Sequence, residues 1–287
     1  MHLINWQVNQ IGKKEDEMNL KVLYGTMKKN LLVNYRAYPV HFFVGNTLTG
    51  LYTVLGAWMM WKFLFEGNMS SDFSEITGTG DYISYVVVGS LTYIFVVRTC
   101  LNVSRSLITE LREGTLESLM LAPFRRTEYF LGNMLVQTVT TSMEIIVSLV
   151  IAIPFGVDLS HAHMSAFLVA FVISLYAFFG VSMALGSIML YTRDTYISQN
   201  TLFAFLFLVC GISFPVQYLP EWLRVIAGLI PVTESVALIR STLLSGIGIN
   251  EQITSVQNIL ILSTVYIIVG FKQMKRCEEI ALEKING

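Results

Sequence analysis

The sequence predicts an all-α polytopic membrane protein with six transmembrane helices and an N-terminal amphipathic helix. Three observations carry this. Hydrophobic residues make up 54% of the 287 residues, and they gather in five or six runs of about 20, the length a helix needs to cross a bilayer. Charged residues are only 14% and cluster between those runs. The bases then fall almost entirely on one side of the resulting topology. A mean hydropathy of +0.59 is compatible with a large soluble core, but repeated apolar runs of spanning length are not. The runs are continuous and lack period-two alternation, which argues against a β-barrel.

Residues 1–19 are polar. Over residues 20–37, Leu20, Leu23, Met27, Leu31 and Tyr35 recur at helical spacing, with Lys21, Lys28, Lys29 and Arg36 on the other surface. This predicts an amphipathic helix lying in the membrane interface, an ordinary polar leader being the alternative. Its positive charges suit the anionic cytoplasmic surface. The first 36 residues hold no early hydrophobic core, so no cleavable signal peptide is expected and the first span serves as the targeting signal.

The first span is expected over 40–64, ending in an aromatic stretch from Trp58 to Phe65 suited to the headgroup zone. Residues 66–81 carry Glu66, Asp72, Glu75 and Asp81 and no base, as an outer loop would. The second span covers 82–104, with Arg98 toward its inner end either snorkelling to the surface or paired inside the bundle. The third covers 131–155, with Glu144 near its middle. A short link over 156–163 holds Gly156, Asp158, His161 and His163. The fourth span covers 164–190 and includes the small residues of 180–187, which allow close helix approach. Tyr191-Thr192-Arg193-Asp194 makes a tight inner turn before the fifth span, 196–214. Residues 215–254 contain Pro215, Pro220 and Pro231 between apolar stretches too short to cross, and read as a partly re-entrant or interfacial helical element on the outer side. The sixth span covers 255–271, followed by Lys272, Lys275 and Arg276.

With both termini inside, the inner side holds Lys13, Lys14, Lys21, Lys28, Lys29, Arg36, Arg105, Arg112, Arg125, Arg126, Arg193, Lys272, Lys275, Arg276 and Lys284. The outer side holds Lys62, Arg224 and Arg240. That split follows the positive-inside rule. The chain thus divides into a leader with its interfacial helix (1–37), a six-helix domain (38–274) and a cytoplasmic tail (275–287). Matching motifs between the two halves, the mark of an inverted-repeat carrier, are not visible.

Several chemistries find no support. A net charge of −1 gives no push toward nucleic acid. Cys100 and Cys210 lie in or beside apolar runs and read as small hydrophobes, with Cys277 in the charged tail. No Ser, Thr or Tyr is paired with a well-placed histidine, so no catalytic site is expected in this chain. His161 and His163 have only Asp158 nearby, which reads as a solvated turn rather than a metal site. A phosphate-cradling Gly-x-x-x-x-Gly-Lys-Ser/Thr loop is missing from the sequence.

The segment between the second and third spans is the most distinctive. In residues 107–129, Leu107, Leu111, Leu116, Leu119 and Met120 form a hydrophobic side, while Glu110, Arg112, Glu113 and Glu117 supply polar surface. Gly114 is expected to break the helix and Thr115 to cap the next one. Glu117 and Ser118 fall in that helix's first turn, where a carboxylate is favoured, and Pro123 stops it. The product would be a helix, a bend, and a short helix nearly parallel to the membrane, able to pass movement to the spans at each end. A solvated linker of mixed charge is the alternative.

The string Glu110-Leu111-Arg112-Glu113-Gly114-Thr115-Leu116-Glu117, followed by Leu119, Ala122-Pro123, Arg125 and Tyr129, resembles the permease subunits of the ABC-2 type transporter family, the type V exporter class. The resemblance extends to the amphipathic leader, the six spans, the stretch Phe214 to Leu223, Ile230-Pro231-Val232-Thr233, and Phe271 with its basic tail. It implies two permeases, as homo- or heterodimer, engaged by two ATP-binding subunits that carry the ATP and Mg; this chain itself would bind no cofactor. The loop around 112–126 would be the coupling helix, with Arg112, Glu113, Gly114, Thr115, Leu116, Glu117, Leu119 and Pro123 meeting the ATPase. Residues 20–37 would be the connecting helix beside it. Short outer helices over about 215–245 would cap the exit. The second and fifth spans would line the path, with Tyr93, Val97, Thr201 and Phe205 as candidate lining positions, lipid-facing or packed positions being the alternative.

A carboxylate inside a bilayer is costly and often functional, so Glu144 is a further path candidate. It could pair with Arg98, contact a polar group of the cargo, or accept hydrogen bonds from Thr140 and Thr141. The expected function is outward, ATP-driven transport of an amphipathic or hydrophobic molecule such as a drug, lipid or peptide by alternating access. A proton-coupled secondary carrier using Glu144 and Arg98, and an exporter of lipid-linked polysaccharide, are the alternatives. The expected setting is the cytoplasmic membrane of a bacterium or archaeon, with membrane lipids as neighbours.

Overall fold

Apolar runs without water must satisfy their backbone polar groups internally, and here every run closes into helix. The computed structural model describes residues 20–37, 39–67, 71–115, 126–192 and 197–283. In chain order the helices are α1 (Leu20–Ala37), α2 (Pro39–Met59), α3 (Ser71–Thr77), α4 (Tyr82–Glu113), α5 (Arg126–Ala152), α6 (Met164–Thr192), α7 (Ile197–Val209), α8 (Glu221–Gly228), α9 (Pro231–Leu244) and α10 (Ile253–Glu283). A π-helical turn, Met60–Leu64, prolongs α2.

Among the described residues four stretches are long and apolar enough to cross a membrane: Tyr82–Ser106, Thr127–Phe155, Met164–Met189 and Ile249–Arg276. They answer the second, third, fourth and sixth expected spans. The other two expected spans are not among these stretches. The run over 40–64 becomes α2, whose Asn46 and three threonines dilute its apolar content. The fifth expected span, 196–214, ends early at Val209 because Gly211 adopts a φ of +71°. At 13 residues, α7 is about 20 Å long, short of the roughly 30 Å hydrocarbon core. The helix that carries the second span continues beyond it to Glu113. The inner turn at Arg193 and Asp194 lies outside the described residues.

At the centre stands α6, packed on α10, α4 and α9; α4 also packs on α5, and α5 on α1 and α2. The small residues of 180–187 do allow the close approach expected of them. A Cβ on Gly180 would lie 2.9 Å from Ser263 O, and one on Gly270 would lie 2.8 Å from Ala184 N. The largest core cluster spans α4, α6, α7, α9 and α10, with Phe95, Phe178, Met189 and Ile259 fully enclosed. Cys100 and Cys210 belong to it.

The bundle has two unlike ends. At one, here called the basic end, α1 meets the last turns of α4 and the first turns of α5. The other, the hairpin end, carries α3, α8 and α9. There α8 and α9 meet at 86°, the broken element expected over 215–254. Most of α9 is buried, including Arg240. Its guanidinium donates to Tyr85 O (3.1 Å), Gly211 O (2.6 Å) and Ile212 O, and stacks 3.7 Å from the Tyr85 ring centroid. Gly89 makes room for it, since a Cβ there would overlap Arg240 Nη2 and Ile212 O. The link after α5 is tied down as well: Asp158 N donates to Ser84 Oγ, and His163 N to Thr242 O.

Candidate functional site

The basic end is built around one carboxylate. The α4 helix ends at Glu113 because Gly114 takes a φ of +71°, and Thr115 N then bonds back to Glu110 O at 2.9 Å, six residues closing the helix end. That turn folds Thr115 Oγ1 onto the Glu110 carboxylate. Lys29 of α1 reaches the same carboxylate at 2.7 Å, and Tyr129 Oη of α5 at 3.0 Å. Glu110 is 5% exposed, not part of the solvated surface its sequence position suggested. Burial pushes its carboxyl up, but the Lys29, Thr115 and Tyr129 donors and the Lys29 charge outweigh burial and hold it below the ordinary glutamate value.

Around this centre α1 is sewn to α5. Asn30 Nδ2 donates to Asn133 Oδ1 at 2.5 Å, and Asn133 Nδ2 to Tyr129 O at 2.9 Å. Thr26 is buried against Gly132, where a Cβ would come within 2.9 Å of it. The face that α1 turns to the protein is thus partly polar, and Tyr24, Leu31 and Leu32 are left exposed. An amphipathic helix with exposed apolar residues of this kind suits a membrane interface.

A polar seam continues between α4 and α5. Asn102 Nδ2 donates to Gln137 Oε1 at 3.0 Å, and Gln137 Nε2 to Thr141 Oγ1 at 2.8 Å. Farther along, Arg98 pairs with Glu144 at 3.4 Å. The Glu144 side chain is 2% exposed and that of Arg98 37%, so Arg98 pairs inside the bundle and also reaches open space. Thr140 and Thr141 do not serve Glu144: Thr140 bonds Val136 O and Gln137 O, and Thr141 receives Gln137. Arg98, Asn102, Arg105, Glu110, Glu113 and Gln137 all border one cavity of about 380 Å³ at the basic end.

The sequence-chosen coupling residues divide. Arg112, Glu113, Gly114 and Thr115 are exposed at the tip of α4; Leu116, Glu117, Leu119 and Pro123 lie outside the described residues, as does the short helix expected there. The path candidates divide as well. Tyr93 Oη donates to Phe203 O at 2.9 Å and its ring meets Phe207 edge-on at 5.2 Å, joining α4 to α7. Val97 and Phe205 pack against the largest core cluster, while Thr201 is exposed. Glu144 lies on α5, paired with Arg98 of α4. Sequence reasoning missed Lys29, Asn30 and Asn133 as partners. The available signals were polar residues inside otherwise apolar helical stretches and the glycine at 132.

A family sequence model described as ABC-2 type transporter matches residues 27–244. That range takes in most of α1, the α4–α5 corner and the bent α8–α9 pair. Among curated proteins no sequence matches the chain.

Proposed function

The chain belongs to the ABC-2 type transporter family, making it a multi-pass permease subunit of an ABC transporter with an ATP-binding partner, and on that premise we propose that it exports an amphipathic molecule under control of the corner at Glu110. The carrying observation is that one buried carboxylate joins α1, the end of α4, the Gly114 turn and α5 at the root of the segment 112–126. Motion applied to that segment by a closing ATPase is transmitted through Glu110 to two spanning helices and the leader together. Arg112, Glu113, Gly114, Thr115, Leu116, Glu117, Leu119 and Pro123 are the contact residues in this reading, and two permeases alternate access between them.

The cargo class rests on two spaces of opposite character. The cavity at the basic end is bordered by charged and amide side chains. A second space of about 520 Å³ between α4, α5, α6 and α9 is lined by apolar residues such as Leu91, Phe95, Ile145 and Phe171. A polar head and an apolar tail are accommodated separately, as an amphipath requires. The positive-inside distribution supports a cytoplasmic basic end. The Arg98–Glu144 pair favours one second reading, proton-coupled transport with Glu144 as the proton acceptor.

Co-purification from native membranes, with an ATPase assay on the recovered complex, tests this. A stoichiometric ATP-binding partner that is lost when Glu113 and Leu116 are replaced in a folded protein supports the coupling assignment. Transport that survives loss of the ATPase and collapses with the proton gradient supports the second reading instead. Turnover stimulated only by hydrophilic polymers overturns the amphipath.

A further inference from the structure

A cavity lies at the opposite end from the coupling corner, and two arginines and two glutamates line it. It measures about 650 Å³ and is bounded by α3, α8, α9 and the turn at 210–217. Arg224, Arg240, Glu75 and Glu234 all border it. Among the described residues none of the four meets an opposite charge within 4.0 Å. Arg240 is 7% exposed and spends three N–H groups on carbonyl oxygens, leaving two of its five donors. Arg224 Nη2 likewise touches only carbonyls, Gln217 O at 2.9 Å and Leu219 O at 3.3 Å. Carbonyl dipoles solvate a buried cation but do not neutralise it, so an anion entering the cavity gains what the protein withholds. The two carboxylates make an equal case for a cation. Two positive and two negative groups, held apart around one space, fit a ligand that carries both signs.

The neighbouring helix identifies the source of such a ligand. α8 lies at 86° to α9 and exposes Trp222, Val225 and, at its end, Leu229, spaced three and four apart on one side. A short helix set across a bundle with an aromatic and apolar stripe outward rests in the membrane interface. Arg224 on that same helix borders the cavity, so the cavity opens at headgroup level. We propose that it receives the headgroup of a zwitterionic aminophospholipid, with the phosphate toward Arg240 and Arg224 and the ammonium toward Glu75 and Glu234. A primary ammonium donates three hydrogen bonds to those carboxylates, whereas a choline group donates none. The site does not depend on ATP coupling, and its test can fail while the permease reading stands.

The test uses the full chain in nanodiscs of equal phosphatidylethanolamine, phosphatidylglycerol and phosphatidylcholine, exchanged into detergent, with retained lipid measured by mass spectrometry. Phosphatidylethanolamine is expected to be retained about tenfold over the other two, the size of one charge-assisted hydrogen bond in a binding constant. The pair Glu75→Gln and Glu234→Gln should lower it to the phosphatidylcholine level. Arg224→Gln should lower all three phospholipids together. These three side chains are exposed or half-buried, and a monodisperse elution profile confirms that the variants fold. Equal retention of the three lipids overturns the proposal, as does enrichment that both variants leave unchanged. Complete displacement by soluble glycerophosphoethanolamine at equal concentration overturns the lipid source in favour of a free zwitterion.

Discussion

Both ends of this bundle bury a charge, and they satisfy its hydrogen bonds by opposite means. At the basic end Glu110 is met by side chains from three segments: Lys29, Thr115 and Tyr129. At the hairpin end Arg240 is met by the backbone, through Tyr85, Gly211 and Ile212 carbonyls, with the Tyr85 ring beneath it. Side-chain partners can let go: the Lys29 side chain is 54% exposed and exchanges its bond with water at little cost. Backbone carbonyls held by a glycine turn and a helix start have no rotamer to change. The contrast is in keeping with the transmitting role proposed for the corner.

Breaking the hairpin end should have the largest effect. Arg240→Ala leaves the buried Gly211 and Ile212 carbonyls without their side-chain donor and removes the contact with Tyr85, an expected loss of about 2–5 kcal/mol, read as a lower unfolding temperature in detergent and early proteolysis near α8. Gly89→Ala tests the same strut from the other side. Its Cβ must displace the guanidinium, so a loss of about 1–3 kcal/mol is expected without removing any charge. A variant as stable as the parent would show that the strut contributes nothing.

Glu110→Ala comes next. It removes the acceptor shared by Lys29, Thr115 and Tyr129, with an expected loss of about 1–3 kcal/mol and uncoupling of partner ATPase activity from cargo. If turnover remained fully cargo-stimulated, Glu110 would be a structural residue only. Lys29→Ala should cost at most about 1 kcal/mol, discounted for the exposure of that side chain, and should loosen α1 to proteolysis before it alters global unfolding.

Acid sharpens the comparison further. The folded-state value of Glu110 is depressed, so its contribution is complete above the ordinary glutamate value of about 4.3 and is lost as pH falls through the lower folded value. Stability attributable to the corner should stay level from pH 7 to 5 and decline below about pH 4. Unfolding temperature followed across that range should show a steeper acid loss in the parent than in Glu110→Gln. Parallel curves would remove Glu110 from the account.

Much of the fold was readable residue by residue. The leader helix over 20–37, the break at Gly114, the small-residue face of 180–187 and the bent outer element each follow from local chemistry. The length of α7 did not, because a stop at Gly211 depends on a backbone conformation that glycine permits but does not require. The candidate site was half legible. The string 110–117 drew attention by its mixture of charges and a glycine, but it placed Glu110 on a solvated surface. Glu144 stood out as an acid in an apolar run, while which of its possible partners it holds was open.

What the sequence by itself determined is that the chain is helical, that it carries apolar stretches of spanning length, and that it belongs to the ABC-2 type transporter family. These depend on composition along a line, which a bilayer reads one segment at a time. Only the tertiary structure decided which charges are buried and what meets them. Lys29 finds Glu110 across 81 residues, and Arg240 finds Tyr85 across 155. Contacts so distant in the chain depend on how helices rotate and pack against one another, and the periodicity of a single helix carries no information about the face its neighbour presents.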